Sequence, residues 1–559
     1  MENYAIADQF SLLARLMDIH GENSFKSKSY SIAAFNIEKI DVPLKDIPRE
    51  KLFSLKGIGE STGKKIIEIL DTGELSILKN ILQKTPPGIV EMLAIKGLGP
   101  KKINTVWKQL EIESIGELLY ACNENRLMLY KGFGEKTQTN IRESIEFYLQ
   151  NQGSYLYAQI ESYAWQMDKK LKQAFQKNKT EITGAFSRQL ETIDLLEWCT
   201  TTSAADVKNF FQQNSFEVVQ ESPGFILFKG SENVEIKIHL TDNAHFYNTL
   251  FTTNCSPAFL QEWENQFSPL QKEYKNEAEI FSSVSCDYIP TYLRDDEKFI
   301  AAAKENKLPV ALLESDIKGL IHSHSNWSDG VNTIEEMAKE LIKRNYEYLV
   351  ISDHSKSAFY AKGLSEERIK AQHEYVDELN AKLKPFKIFK SIESDILYDG
   401  NLDYSNEILS TFDLVIASVH SNLKMPEEKA MKRLITAIEN PYTIILGHMT
   451  GRLLLSRNGY PVDHKKIIDA CATNHVIIEL NAHPRRLDMD WRWIGYALEK
   501  GVLISIDPDA HDLEGFDDVK YGVLSAQKAG LTKEKNVSSF SLAQFESFLK
   551  DTKSLKGTS

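Results

Sequence analysis

The stretch His322-Ser323-His324-Ser325-Asn326-Trp327-Ser328-Asp329-Gly330 holds the donors best placed to do chemistry in this chain. On an extended segment, two histidines one residue apart point to the same side, because side chains alternate with period two. The mainly apolar lead-in at 317–321 is short and stops at the histidines, as a buried strand ending at a site does. Asp329 follows five residues after His324, between Ser328 and Gly330, which permits a tight turn. Imidazole nitrogen with carboxylate oxygen suits zinc, manganese or iron rather than calcium. Alone, such a pair of histidines says little, since surface and core histidines produce the same spacing.

Recurrence gives it weight. Six more times downstream, a short apolar run ends in a possible ligand. Residues 348–352 precede Asp353-His354, 386–392 precede Glu393, and 414–419 precede His420. Residues 442–447 precede His448, 476–480 precede Asn481 and His483, and 502–506 lead to Asp509 and His511. Segments of helical spacing lie between, such as 334–343 and 366–383. Strand and helix repeated seven times, with donors at each strand's C-terminal end, describe a parallel α/β barrel with its site at that face.

The His-x-His, the Ser-Asp-Gly, Asp353-His354, Glu393, Val419-His420, Gly447-His448 followed by Thr450-Gly451-Arg452, and Asp509-Ala510-His511 resemble the PHP (polymerase and histidinol phosphatase) domain. The resemblance covers roughly 316 to the C-terminus. Just before it, Tyr288-Ile289-Pro290 with Leu293-Arg294 is similar to the joint preceding PHP in bacterial family X DNA polymerases. It implies metal ligands at His322, His324, Asp329, His354, Glu393, His420, His448, Asp509 and His511. It further implies a distorted (β/α)7 barrel with three divalent ions (Mn²⁺, Zn²⁺ or Fe²⁺) that hydrolyses phosphoesters.

Within that set Glu393 is the expected bridge, since a carboxylate's two oxygens can span two ions. Arg452 is expected either to fork onto a phosphate or to form a barrel salt bridge. His483, beside Arg485 and Arg486, is an expected substrate contact. His373, His464 and His475 read as surface residues.

A chain of 559 residues exceeds what one core supports, so three to four domains are expected. Five cysteines without paired spacing argue against a disulfide framework or a cysteine zinc cluster, and for a reducing cytoplasm. No apolar run reaches membrane length, and the N-terminus lacks a signal-peptide pattern. The net charge of −13 argues against DNA binding, but residues 1–150 hold 20 Lys+Arg and 20 Asp+Glu, so the excess lies beyond them.

Within 1–150 the first forty residues read as amphipathic helices. Three segments then share one design: Leu55-Lys56-Gly57-Ile58-Gly59 before a helix from about Thr62, Ile95-Lys96-Gly97-Leu98-Gly99 before a second helix, and Tyr130-Lys131-Gly132-Phe133-Gly134 before one from about Thr137. This is the pattern of a helix-hairpin-helix. Its glycines allow a close backbone approach, and the amides at the next helix start can bind a phosphate oxygen, with Lys64 or Lys101 nearby. Such contacts grip strand ends, gaps or primer-template without reading sequence.

The resemblance places a nucleotidyltransferase-like α/β palm next, and here the sequence departs from it. Gly184-Ala185-Phe186-Ser187-Arg188 is similar to the nucleotide-binding motif, with Ala185 where a serine is usual. The family's paired aspartates fall at Leu195 and Glu197, the third carboxylate at Glu235, and its threonine-glycine-serine is replaced within Thr252-Thr253-Asn254-Cys255-Ser256. Leucine cannot hold the magnesium that phosphoryl transfer needs, so the palm reads as polymerase-dead. A re-registered site on Asp194 and Glu197 is the alternative.

The expected divisions are therefore 1–85 and 86–150 (helical helix-hairpin-helix regions), 151–245 (degenerate palm), 246–315 (thumb and linker) and 316–559 (PHP domain), with a polar, disordered tail at 551–559. The expected function is a monomeric, cytoplasmic, metal-dependent 3′-to-5′ exonuclease or DNA 3′-end phosphoesterase of repair. Competing readings are an active gap-filling polymerase with a proofreading barrel, a small-molecule phosphatase of the histidinol phosphatase type, and a catalytically silent scaffold.

Overall fold

Hydrophobic spacing of three and four, as in Ile6, Phe10, Leu13 and Met17, builds the helices with which the chain begins. In the computed structural model, which describes residues 3–40, 42–55, 58–149, 153–230, 234–267, 270 and 273–558, the chain forms two compact units, 1–148 and 149–559. The first is helical: Asn3–His20, Ser24–Ile37, Glu60–Thr72, Pro100–Lys108, Ile115–Asn123 and Glu135–Leu149 are its longer helices. The helices after the glycine hairpins begin at Glu60 and Glu135, two residues earlier than expected. Each starts directly after the second glycine, which leaves that residue as the junction.

The second unit opens on a five-stranded sheet. Its strands are β1 (Thr180–Thr183), β2 (Leu196–Thr200), β3 (Glu217–Ser222), β4 (Phe225–Lys229) and β5 (Glu235–Leu240), in spatial order β1-β2-β5-β4-β3. Only β2 and β5 run parallel. The helices Tyr157–Ala174 and Ala204–Gln213 bury Ile160, Leu171 and Phe211 against Trp198, Phe228 and Ile236 of the sheet. A helical segment follows, packed around Phe251, Trp263 and Phe281. The fully buried Arg294 lies against the rings of Phe251 and Phe281 and pairs with Glu277 at 2.7 Å.

Seven parallel strands complete the chain: β6 (Gly319–Ser323), β7 (Tyr348–Ile351), β8 (Lys387–Asp395), β9 (Leu414–Ser418), β10 (Thr443–Leu446), β11 (Ile477–Asn481) and β12 (Ile504–Asp507), each bonded to the next in sequence. The sheet nearly closes on itself, with Ser323 bridged to Ala510 and the His324 amide donating to the Ala510 carbonyl at 2.8 Å. Strands buried on both faces need cover on both. Leu349, Ile388 and Ile478 meet the surrounding helices, whereas Tyr348, Phe389 and Ile416 fill the interior.

The interior is closed at the strands' N-terminal end by the helix Leu542–Lys556, whose Phe545 stacks on Tyr348 at 4.6 Å. This corrects the expectation of a disordered tail. The apolar stripe of Phe545 and Leu549 commits the segment to a helix, and Lys553 and Lys556 donate to the carbonyls of Phe412 and Asn474 at 2.8 and 2.6 Å.

Candidate metal centre

The first strand ends with a distortion that the alternation argument did not foresee. Its register against β7 slips between Leu320 and Ser323, and His322 has a left-handed backbone at φ +55°. A bulge re-aims the side chain it carries, so His322 and His324 reach the same cavity through a kink rather than through simple alternation. Their rings lie 5.3 Å apart. Asp509, beside them after the closing strand β12, is likewise left-handed, at φ +53°.

Glu393, buried on β8, is the centre of the cluster. Its Oε1 lies 3.2 Å from His322 Nε2, 3.1 Å from His420 Nε2 and 3.0 Å from His448 Nε2. Its Oε2 lies 2.9 Å from His354 Nδ1 and 3.7 Å from His324 Nε2. Asp509 Oδ1 is 3.0 Å from His324 Nε2, and Asp329 Oδ2 is 3.4 and 3.5 Å from the Nε2 atoms of His354 and His511. All nine expected ligand residues meet here. Donor atoms sharing one ion at usual metal–ligand distances sit about 3.0–3.5 Å from one another, and most of these separations fall in that range.

Two further observations fit a metal. Three overlapping groups of donors lie close enough to share ions: His324, Asp329, His354 and His511; His322, His324 and Asp509; and His354, Glu393 and His420. In addition, His322 Nε2, His324 Nδ1 and His354 Nδ1 are buried yet make no hydrogen bond of normal geometry among the described residues. Nitrogens crowded against carboxylates without being directed at them suit an ion between the groups better than direct hydrogen bonds.

A surrounding layer aims the ligands. Glu479 accepts from His322 Nδ1 and from the His448 amide, and Asp395 accepts from His420 Nδ1. A carboxylate on Nδ1–H fixes the tautomer that leaves the Nε2 lone pair for a ligand. Asp353 accepts from Ser325 N at 2.8 Å and Gln372 Nε2 at 2.6 Å, which pins the loop carrying Asp329. Sequence reading missed Glu479 and Asp395, and named Asp353 beside His354 without giving it this role. A signal existed for both missed residues: Asp395 stands two residues after Glu393 and Glu479 two before Asn481, hence on the same strand faces.

Charge follows this geometry. Burial opposes ionisation of Asp329, Glu393 and Asp509, but neighbouring histidines outweigh it and hold all three well below the usual carboxylate range. Burial lowers His420, yet Glu393 and Asp395 raise it to about 9. Burial, and then the neighbouring His354 and His511, push His324 down. Asp507, beneath the site, is pushed well up by burial and by the charge of Glu479.

The other expected contacts fare differently. Arg452 is a salt bridge rather than an arm aimed at phosphate: it meets Asp490 at 2.7 Å, Glu191 at 2.5 Å and the carbonyls of Arg486 and Leu487. His483 Nδ1 accepts from the Arg485 amide at 3.2 Å, and burial followed by Arg486 depresses it to about 3, so its ring is neutral. Arg486 lies 3.8 Å from Asp509. Of the histidines expected at the surface, His475 is exposed, while His373 and His464 are half-buried against Phe412 and Trp493.

In the palm, Leu195 and Glu235 directly precede the paired Leu196 and Ile236 of adjacent strands, and Glu197 lies against Gly184. Glu197 pairs with His239 at 2.8 Å and lies over Gly184, where a Cβ would meet its Oε1 at 2.1 Å. Leu195 precedes β2, Glu235 begins β5, and the exposed Asp194 accepts from Ser154 Oγ at 2.5 Å. Arg188 pairs with Asp295 at 3.0 Å, which also meets Lys528 at 2.5 Å. Among the described residues, groups able to share an ion occur only in the barrel.

In the hairpins, Gly97 and Gly132 have φ of +90° and +96°, and a Cβ on Gly59, Gly97, Gly99, Gly132 or Gly134 would meet nothing within 4 Å. That open space leaves room for a ligand backbone. Lys101 is exposed, Lys64 pairs with Glu60 at 2.7 Å, and Gly57 lies outside the described residues.

Comparison with known proteins agrees in outline. Family models match as a helix-hairpin-helix domain over 1–75, a SAM-like helix-hairpin-helix tandem over 89–146 and a PHP domain over 321–483. The chain is 32% identical over 569 residues to the DNA polymerase/3′-5′ exonuclease PolX of Bacillus subtilis, covering 96% of this chain and 97% of that protein. A probable phosphatase of Caldanaerobacter subterraneus subsp. tengcongensis is 29% identical over 215 residues, covering 35% of this chain and 78% of its own length.

Proposed function

Because the chain belongs to the family X DNA polymerases of PolX type, with helix-hairpin-helix modules and a C-terminal PHP domain, we propose that its barrel is a metal-dependent 3′-to-5′ exonuclease or DNA 3′-end phosphoesterase, and that its palm no longer polymerises. The observation that carries the first half is Glu393, buried among four imidazole nitrogens within 3.2 Å. His322, His324, Asp329, His354, Glu393, His420, His448, Asp509 and His511 would hold three divalent ions. Such ions supply a water acidic enough to attack near neutral pH and neutralise charge on the scissile phosphate.

The remaining groups are protein. Glu479 and Asp395 hold His322 and His420 with Nε2 turned towards Glu393. Asn481 Nδ2 donates to Asp509 Oδ2 at 3.1 Å and keeps that carboxylate oriented. His483, whose Nδ1 accepts from the Arg485 amide, is the proposed substrate contact beside Asp509. The glycine hairpins would hold the DNA backbone without regard to sequence, which suits repair of ends and gaps.

The palm's side chains support its half of the proposal. Glu197 is hydrogen-bonded to His239, Leu195 supplies no donor, and Arg188 is committed to Asp295. The test is digestion of end-labelled primer-template with Mn²⁺, with and without dNTPs. Shortening from the 3′ end that dNTPs do not reverse is expected. No shortening, or extension in the presence of dNTPs, overturns the corresponding half.

A further inference from the structure

The loop after β7 carries a feature that hydrolysis alone does not require. Between His354 and Leu364 the chain projects Phe359 with 78% of its surface exposed, flanked by the exposed Lys356 and Lys362. The loop itself is held firmly. Tyr404 Oη receives the Lys356 amide at 3.0 Å and donates to the Leu364 carbonyl at 2.5 Å. Asp403 accepts from the Ser357 amide at 2.6 Å, and Asp395, which also holds His420, accepts from Ser357 Oγ at 2.7 Å. Arg368 donates to the Lys362 carbonyl at 2.6 Å. An aromatic ring is thus held out into solvent on a rigid mount.

Its position is specific. Phe359 packs edge-on to Tyr360 at 5.9 Å, and the Tyr360 ring lies 6.4 Å from that of His354, so Phe359 is two ring-to-ring steps from a candidate ligand. It has company at the same end of the barrel. Val331, Tyr398 and Leu455, on the loops after β6, β8 and β10, are also exposed, at 54%, 65% and 44%. Elsewhere among the described barrel residues, the exposed large apolar side chains are Ile342 and Leu555, on helices. A cationic loop with an exposed aromatic is the chemistry by which proteins hold single-stranded nucleic acid: bases stack on the ring and lysines follow the backbone.

We propose that the 355–363 loop is the seat of the strand's 3′-terminal nucleotides, with Phe359 stacked on a base and Lys356 and Lys362 against the adjoining phosphates. Stacking tolerates any base, so the seat grips an end without selecting sequence. It also favours a frayed or single-stranded end, because a base paired in duplex cannot offer its face to the ring. This deepens the exonuclease reading and rests on it.

The test uses the full Mn²⁺-loaded protein and two single-stranded oligonucleotides, one ordinary and one whose last two residues are abasic. The wild type should show a KM roughly tenfold lower on the ordinary end, the order of one stacked base. Phe359→Ala should raise that KM to the abasic value, and Phe359→Trp should restore the preference. The double change Lys356→Ala with Lys362→Ala should raise KM on both oligonucleotides and flatten its dependence on salt. A 3′-terminal 2-aminopurine should lose fluorescence on binding to wild type and keep it with Phe359→Ala. If the alanine variant retains the wild-type preference for base-bearing ends, the seat is wrong and the exonuclease stands. If the wild type digests neither oligonucleotide yet hydrolyses a small phosphomonoester, the exonuclease reading falls and the seat with it.

Discussion

Glu393 in the barrel has four imidazole nitrogens within 3.2 Å, shared among three histidines on one oxygen and a fourth on the other. Glu197 in the palm has one imidazole, His239, at 2.8 Å, and its other oxygen rests over the backbone of Gly184. Both glutamates stand on strands of α/β sheets within one compact unit. The difference is in what is left over. A carboxylate with one histidine can form a closed pair that satisfies both groups. A carboxylate crowded by four histidines, with some ring nitrogens making no normal hydrogen bond, leaves lone pairs that an ion can use. Donor count and orientation, rather than the presence of acidic residues on strands, separate a metal site from a salt bridge.

The sharpest way to break this contrast is to remove its centre. Glu393→Gln keeps the shape and loses the charge; digestion of end-labelled DNA should fall roughly a thousandfold or more, since several kcal/mol of electrostatic stabilisation would be lost. Metal content measured on the purified variant should fall with it. Unchanged content and rate would remove the barrel's side of the comparison.

The palm's side is tested with that same variant, so that digestion cannot mask synthesis. Templated dNTP incorporation should be undetectable. The changes Leu195→Asp with Glu197→Asp should restore little, because Ala185 and the Thr252–Ser256 segment also depart from the nucleotide-binding pattern. Steady primer extension by Glu393→Gln, lost on adding Asp194→Ala, would show that the palm assembles a site from other carboxylates.

A smaller effect is expected one layer out. Glu479→Gln leaves every candidate ligand in place but weakens the hold on His322 and on the His448 amide. Metal affinity should drop about ten- to a hundredfold, read by competition with a chelator. Equal affinity would mean that the strand ends alone aim the ligands.

The smallest effect separates the regions by pH. His373, half-buried on the barrel's flank beside Phe412, is pushed down to about 4 by burial and then by Lys390. The unfolded chain therefore binds a proton between about pH 6.5 and 4 that the folded chain does not, so stability present above 6.5 is lost as the pH falls through that window. His373→Gln should flatten the pH dependence of barrel unfolding by up to one proton. An unchanged slope would assign the acid sensitivity elsewhere.

The seven barrel strands and the convergence of their terminal histidines and carboxylates were legible in the residues, because a parallel barrel buries each strand on both faces and gathers all its C-terminal ends at one mouth. An apolar run followed by a donor, repeated at helical intervals, encodes that arrangement locally. The glycine hairpins were legible for the same reason: a turn is a property of one short segment. What the sequence could not decide was how distant polar groups pair. Arg452 meets Glu191 across 261 residues, so phosphate clamp and salt bridge remained equal until both ends were in space. Glu479 and Asp395 read as strand residues until His322 and His420 were seen to lean on them. The kink at His322 and the folding of the polar C-terminal segment into a plug depend on what the barrel leaves to be filled, and a cavity's shape is set by all of its walls at once.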